Sequence, residues 1–232
     1  MKTTKLTLTA AALACLVAFS ACNKDNDDSS AGRAYPVAGV EKQSIVVNGN
    51  SFDMVLDTGA ASGNYYIGAT EVTQGLFQAI MDTNPSRFPD GSNHPVEMVT
   101  LAEAQAFCAE LRSLTGLNFR LPSVAEWLYA ARGGQLMTSD TIKYAGSNEI
   151  DDVAWYAGNV NLQKHHTYPV GLKKANELGL YDMSGNVWEY CTNGLCGGGW
   201  NSSAEGCQLS NTQGSAAGPR SSVAGFRIVM VM

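Results

Sequence analysis

The sequence predicts a mixed α+β domain with little regular secondary structure and long loops. Three segments combine helix-capping residues with apolar side chains at helical spacing, and several short apolar runs between Gly and Asn turns are typical of strands. Residues 140–225 are rich in Gly, Asn and Ser and contain few periodic runs. We therefore expect a small sheet surrounded by loops, where binding residues are commonly found.

The three predicted helices are defined by their ends. The first covers about 73–81 and is closed by Asn84-Pro85. The second begins at Thr100 and stops at Gly116, and the third ends at the glycines 133–134. The second and third helices begin with capping boxes, in which a Ser or Thr precedes a Glu by three residues, namely Thr100 with Glu103 and Ser123 with Glu126.

Short strands are predicted at 44–47, 52–56, 65–67 and 225–231. The last of them is mostly apolar, which predicts a central position in the sheet. Cys108 lies on the apolar stripe of the second helix, so we expect it to be a core residue before it is a disulfide candidate.

Residues 1–21 are typical of a secretory signal peptide, with two lysines, a short apolar run and small residues at the end. The Cys after Ser20-Ala21 resembles the lipobox of bacterial lipoproteins, so we expect acylation of Cys22; ordinary secretion is the alternative. Residues 22–36 are polar and acidic, which predicts a flexible tether before a domain at 37–232. We expect a protein anchored by lipid in the bacterial cell envelope, at the outer membrane, facing the periplasm or the cell surface.

Charge and cysteine content exclude several classes of function. The formal net charge is −6 and no basic stripe occurs, which argues against a nucleic-acid partner. Four cysteines remain after the signal peptide and the lipidated residue, and none forms a C-x-x-C pair. In an oxidising compartment they allow two disulfides in three connectivities, which stay open here: Cys108, Cys191, Cys196 and Cys207.

Short motifs follow one another in a fixed order throughout the domain, and one of them is Gly-Gly-Gly-Trp at 197–200. The motifs lie at 66–73, 84–86, 95–97, 120–122, 125–127, 129–134, 179–189, 197–200 and 225–227. In kind and order they resemble those of the formylglycine-generating enzymes, the sulfatase-modifying factor family. The resemblance covers the whole secreted domain and implies a variant of the C-type lectin fold.

The resemblance also implies a copper ion held by two cysteines, whose positions correspond here to Ser202 and Cys207. The serine of the family motif corresponds to Gly199. Soft thiolates select Cu(I), and one thiolate with a hydroxyl does not reproduce a two-thiolate site. We therefore expect neither copper nor catalysis, with Cys207 the only retained copper-ligand position. A disulfide from Cys207 to Cys191 or Cys196 is favoured over a relocated copper site that uses Cys196.

Calcium is the one family cofactor that we still expect, because the resemblance implies that its ligand positions are retained. In the family, a loop that matches 182–189 binds Ca²⁺ through its first and last side chains and through carbonyl oxygens between them. The corresponding residues are Asp182, Gly185, Val187 and Glu189, which offer the hard oxygen atoms that Ca²⁺ prefers. The alternative is that Asp182 caps a turn and Glu189 pairs with an Arg.

Two further patterns predict no activity. The sequence at 56–59 resembles the active-site strand of aspartic proteases, which need two such carboxylates, and no second copy occurs. The adjacent His165 and His166 have no carboxylate or Cys nearby in the sequence, so we do not expect them to bind metal.

The predicted function is binding of an unidentified protein or glycan. The tail from Trp200 to Val223 consists mainly of small polar residues and resembles the variable region of retroelement-diversified proteins that share this fold. The expected binding residues are Trp200, Asn201, Ser202, Ser203, Glu205, Gly206, Gln208, Ser210 and Asn211. The alternatives are a structural lipoprotein subunit of a surface or secretion complex and a formylglycine-generating-type cysteine oxidase.

Overall fold

The computed structural model describes residues 40–161, 166–214 and 218–232. The predicted signal peptide, the predicted lipidation site Cys22, the predicted tether and His165 lie outside the described residues. Within those three ranges, no helix combines the length and the apolar composition needed to cross a membrane.

Four helices and eight strands occur in the described part of the chain. The helices are α1 (Gln74–Met81), α2 (Leu101–Thr115), α3 (Val124–Ala131) and α4 (Ile150–Val153). The strands are β1 (Lys42–Val47), β2 (Asn50–Asp57), β3 (Tyr65–Gly68), β4 (Asn118–Arg120), β5 (Trp188–Cys191), β6 (Gly194–Cys196), β7 (Ala224–Gly225) and β8 (Val229–Val231).

The larger sheet has the strand order β1-β2-β3-β8-β4, and all of its pairs are antiparallel. The C-terminal strand β8 lies between β3 and β4, which confirms its predicted central position. Side chains alternate between two faces. Met54, Tyr66 and Met230 face the core that contains α1 and α2, whereas Ile67 and Val229 face the core that contains α3.

The capping signals are confirmed. Thr100 accepts a hydrogen bond from the Glu103 N–H while the Glu103 carboxylate accepts one from the Thr100 N–H, and Ser123 and Glu126 do the same at α3. Because each capping box satisfies two otherwise unpaired backbone donors, local sequence is enough to fix where these helices begin.

The predicted strand 225–231 is not continuous. It divides into β7 and β8, because residues 226–228 leave the ladder and place Arg227 in the interior with no exposed surface. Strand β7 instead pairs in parallel with β5, in a second sheet of order β6-β5-β7 that the sequence did not predict. This small sheet carries the candidate functional region.

Candidate functional site

A buried charged network joins the two sheets. Glu189 on β5 accepts hydrogen bonds from Arg227 through both carboxylate oxygens, each at 2.6 Å. The Trp127 indole N–H, on α3, donates to the same carboxylate at 2.6 Å. Arg227 also donates to the carbonyl oxygens of Gly68 and Tyr181 at 3.0 and 2.8 Å. Because a buried charge is tolerated only when it is paired and hydrogen-bonded, this network fixes β5 against the large sheet.

Two more buried acids adjoin this network. Burial raises the pKa of Asp182 to about 6, although the Gly171 N–H donates to its Oδ2 at 2.7 Å. Burial and the neighbouring carboxylates of Asp182 and Glu189 raise the pKa of Glu71 well above its ordinary value. The second oxygen of each side chain, Oδ1 of Asp182 and Oε1 of Glu71, is buried without a hydrogen-bond partner among the described residues.

The predicted calcium ligands meet the needs of an ion only in part. Ca²⁺ takes about six to eight oxygen ligands, so an unpartnered, buried Asp182 Oδ1 suits it. Glu189 suits it poorly, because both of its oxygens already accept charge-assisted bonds from a fully buried guanidinium. Glu189 is therefore paired with an Arg, which is the alternative considered above. The calcium site stays a prediction, and it rests on Asp182 and the carbonyl oxygens of Gly185 and Val187.

The two positions that correspond to the family's copper ligands serve structural roles. Ser202 closes a turn, in which its Oγ accepts from the Gly199 N–H at 3.0 Å and its own N–H donates to the Gly199 carbonyl at 2.9 Å. Cys207 is fully buried beside the apolar side chains of Val153 and Ala154. Burial raises the pKa of the Cys207 thiol to about 12.

The motif positions around this turn are closely packed. Gly198 has φ +77, and a β-carbon there would lie 2.8 Å from the Cys207 sulfur. A β-carbon at Gly199, the position of the family serine, would lie 3.1 Å from the Val223 carbonyl oxygen. A side chain at Gly199 would therefore require the Val223 carbonyl to shift by a few tenths of an ångström.

The expected disulfide from Cys207 to Cys191 or Cys196 is wrong in this structure. All four described cysteines are free and buried, and the two sulfurs that meet are those of Cys191 and Cys196, 3.8 Å apart. They meet because β5 and β6 form a hairpin in which Cys191 lies opposite Gly194, which places the two cysteines diagonally. Cys108 is a buried core residue of α2, as predicted.

The predicted binding residues form one segment, 201–211, with two kinds of position. Four side chains are exposed, and they are all small or polar: Asn201, Ser203, Glu205 and Ser210. Four others are half-buried: Ser202, Gly206, Gln208 and Asn211. Trp200 is buried, donates from its indole N–H to the Ser222 carbonyl at 3.0 Å, and so supports the segment more than it presents a surface.

The backbone of segment 201–211 is held at several points. Cys207 and Leu209 are buried anchors, and the Leu209 N–H donates to the Lys143 carbonyl at 2.9 Å. The Ala157 N–H donates to the Ser202 carbonyl at 3.0 Å. The exposed side chains therefore stand on a backbone whose course is set by residues that point inward.

A cavity of about 290 Å³ opens beside this segment. Asn201 lines it together with buried Trp188 and Tyr190 of β5 and with Ser221 and Val223. Its size is near the lower end of the range for pockets that hold drug-sized ligands.

A cluster that the sequence did not predict lies beside Phe88, whose ring packs edge-on against Trp200. His166 Nδ1 is 3.6 Å from the Asp90 carboxylate, and His94 Nδ1 is 3.1 Å from Thr167 Oγ1. The expectation that His166 has no nearby carboxylate is therefore wrong for the folded protein. The loop after α1 places Asp90 close to His166, although 76 residues separate the two in the sequence. Only a prediction of contacts between distant segments could have found this cluster.

Comparison with known proteins agrees with this architecture. A family model described as the sulfatase-modifying factor enzyme 1-like domain matches residues 39–232. Chaperone protein LppX of Paenibacillus barcinonensis is 32% identical over 231 residues, which cover 77% of this chain and 78% of LppX. The formylglycine-generating enzyme of Mycobacterium tuberculosis is 38% identical over 113 residues, 46% of this chain and 36% of the enzyme.

Solved structures give the same result for the fold. Treponema denticola variable protein 1 superimposes with a TM-score of 0.71 and 28% identity, covering 82% of this chain and 98% of that protein. The predicted variant of the C-type lectin fold is thereby confirmed. With its family motifs spread across both sheets and the loops between them, this chain belongs to the sulfatase-modifying factor enzyme 1-like domain family.

Proposed function

We propose that this protein is a lipid-anchored, ligand-binding member of its family that lacks the cysteine-oxidising activity. The proposal rests on the pattern of exposure in segment 201–211. Buried Cys207 and Leu209 hold the backbone. Four side chains are exposed and can be exchanged, namely those of Asn201, Ser203, Glu205 and Ser210. Such a segment accepts new side chains without loss of the fold.

The absence of oxidase chemistry is part of the same proposal. Ser202 is engaged in a turn with Gly199, so Cys207 has no second thiolate at the corresponding family position. Cys196, the remaining candidate for a second copper ligand, faces Cys191 instead. The likeness to a protein named variable protein 1 supports the further idea that this face is diversified. Sequencing the gene in sister strains tests that idea, since it requires substitutions concentrated in 201–211.

A matched pair of triple variants tests binding. One changes Asn201, Glu205 and Ser210 to Ala, and the control changes the exposed Asn118, Glu110 and Ser113 to Ala. We expect ligands captured by the wild type from glycan arrays and from surface-protein extracts to be retained by the control and lost by the face variant. Equal retention by both variants, with unchanged melting temperatures, would contradict the proposed face.

A second candidate is a chaperone or structural subunit that binds other envelope proteins, favoured by the similarity to chaperone protein LppX. It predicts a stable protein partner in pull-downs that both triple variants keep. The same comparison of variants therefore separates the two functions.

Membrane attachment is proposed at Cys22. Acyl chains on Cys22 would hold the protein at a membrane without a spanning helix. Cys22→Ser should move the protein from the membrane fraction to the soluble fraction, whereas Cys108→Ser should leave it with the membranes. Membrane retention of Cys22→Ser would exclude the lipid anchor.

Calcium binding remains a proposal for the loop 182–189. We expect Ca²⁺ to raise the melting temperature of the wild type and to have no effect on Asp182→Asn, since binding to the folded state alone stabilises it by mass action. Asp82→Asn, at an exposed turn, serves as the control. Identical melting curves of the wild type with calcium and with a chelator would exclude the site.

A further inference from the structure

The loop after α1 and the segment that begins at His166 face each other across a cavity of about 470 Å³. Phe88, Asp90, His94, His166 and Pro169 line this cavity. The ligand atoms of Asp90, His94 and His166 all lie within 4.8 Å of one another. Three groups of this chemistry, drawn from two separate loops, are a pattern typical of metal coordination.

The backbone holds both loops in place. The Gln74 N–H, in α1, donates to the His94 carbonyl at 2.8 Å, and the His94 N–H donates to the Gly91 carbonyl at 3.1 Å. On the opposite side, the Tyr168 N–H donates to Asn186 Oδ1 at 3.0 Å. The two loops are also joined directly, because the Val170 N–H donates to the Asn93 carbonyl at 2.9 Å.

Thr167 orients both imidazole rings. Its hydroxyl lies 3.1 Å from His94 Nδ1, and its carbonyl oxygen contacts His166 Nδ1. In metal sites the second ring nitrogen of a ligating His is commonly engaged in this way, which fixes the ring and its tautomer.

We propose that Asp90, His94 and His166 bind one divalent transition-metal ion of the zinc class. Two imidazoles and one carboxylate suit Zn²⁺, whose bonds to nitrogen and oxygen of about 2.0–2.2 Å require ligand atoms about 3.3 Å apart. One ligand atom from each of the three side chains already lies within 4.8 Å of the other two, so side-chain rotation can bring them to this spacing. Asp90 is half exposed and His166 is partly exposed, so both side chains can rotate toward an ion beside the buried His94.

Three protein ligands leave a coordination position open to the cavity. Phe88 separates this position from the proposed binding face, since its ring centroid is 6.4 Å from that of His166 and 5.9 Å from that of Trp200. An ion here would present a site for water or for an anionic or imidazole-bearing ligand close to segment 201–211. The metal site does not depend on the proposed function, because none of its three ligands belongs to that segment.

Calorimetric titration of the metal-free protein with Zn²⁺ alone tests this assignment. We expect one ion per chain in the wild type, and a loss of affinity of about 100-fold or more in Asp90→Asn and in His166→Ala, since even changes outside the ligand set commonly cost about 10- to 100-fold. The control Asp82→Asn, also an exposed Asp on the same loop, should bind like the wild type. No saturable binding, or equal affinity in all four proteins, would overturn the site.

Cobalt substitution gives a readout that does not require the variants to fold. Co²⁺ bound by two imidazoles and a carboxylate should give visible d–d absorption without a thiolate charge-transfer band, and Zn²⁺ should abolish it by competition. A thiolate band would place the ion on the cysteines and overturn the proposal. If His166→Ala is unfolded by circular dichroism, the result with the isosteric Asp90→Asn decides.

Discussion

The Glu189–Arg227 network and segment 201–211 lie close together in the chain and are constrained in opposite ways. In the network every side chain is buried and each polar group has a specified partner, so residue identity is fixed by chemistry. In segment 201–211 the backbone is held by its own hydrogen bonds and by the buried side chains of Cys207 and Leu209. The exposed side chains make few contacts that the fold requires. The comparison shows that one domain combines a centre whose side chains are all paired with a surface segment whose exposed side chains are not needed for packing.

The largest effect is expected from breaking the network. Glu189→Gln removes the carboxylate that accepts two hydrogen bonds from the buried Arg227 guanidinium, which should lower the free energy of unfolding by about 3–5 kcal/mol. Urea denaturation measures this loss, and Glu110→Gln, an exposed change of the same kind on α2, is the control. By contrast, the triple variant of Asn201, Glu205 and Ser210 should keep its melting temperature within about 2 °C. Equal destabilisation by the two would remove the distinction between the regions.

A second effect depends on pH and comes from Glu97, which is fully buried and accepts from the Phe88 N–H at 2.8 Å. Burial raises its pKa from 4.5 to about 7. Its protonated form is therefore favoured in the folded state, so its contribution to stability is complete below pH 4.5 and is lost as pH rises through 7. Relative to Glu97→Gln, the wild type should lose about 3 kcal/mol between pH 4.5 and 8.

Urea denaturation at a series of pH values measures this difference between the two proteins. Glu110→Gln should follow the wild type across the whole range, because its carboxylate is exposed. A constant difference between wild type and Glu97→Gln at every pH would contradict the assigned shift.

A smaller effect is expected from oxidation of the β5–β6 hairpin. Cys191 and Cys196 are the pair whose sulfurs meet, so a mild thiol oxidant should link them, with stabilisation of about 2 kcal/mol for so short a loop. Peptide mass mapping identifies the bond, and Cys207 should remain a free thiol. A disulfide that includes Cys207 would restore the pairing predicted from the sequence and contradict the structure.

Much of the fold could be predicted because its signals are local. The capping boxes that begin α2 and α3 involve residues three apart, and the apolar character of β8 indicates its central place. Strands β5 and β6 escaped prediction because they are short and largely buried on both faces, without the alternation that marks a half-exposed strand. The break between β7 and β8 follows from the contacts of Arg227, which sequence pattern does not reveal.

The candidate sites could be predicted less well, because they depend on contacts between distant residues. The exposed polar character of 201–211 is visible in the composition, and so is the loss of the first copper cysteine at Ser202. The pairing of Cys191 with Cys196 and the meeting of Asp90 with His166 are set by hairpin register and loop packing. The spacing of these residues along the chain carries no signal for either contact.

We propose that the fold is retained while the copper chemistry is lost at Ser202. The most direct measurement is O₂-dependent oxidation of a cysteine peptide, with bound Cu(I) quantified, for the wild type, Ser202→Cys and the adjacent control Ser203→Cys. We expect no peptide oxidation by the wild type or the control, and a gain of bound Cu(I) in Ser202→Cys alone, because only that change restores the second thiolate. Peptide oxidation by copper-loaded wild type would contradict this proposal and make this protein an enzyme.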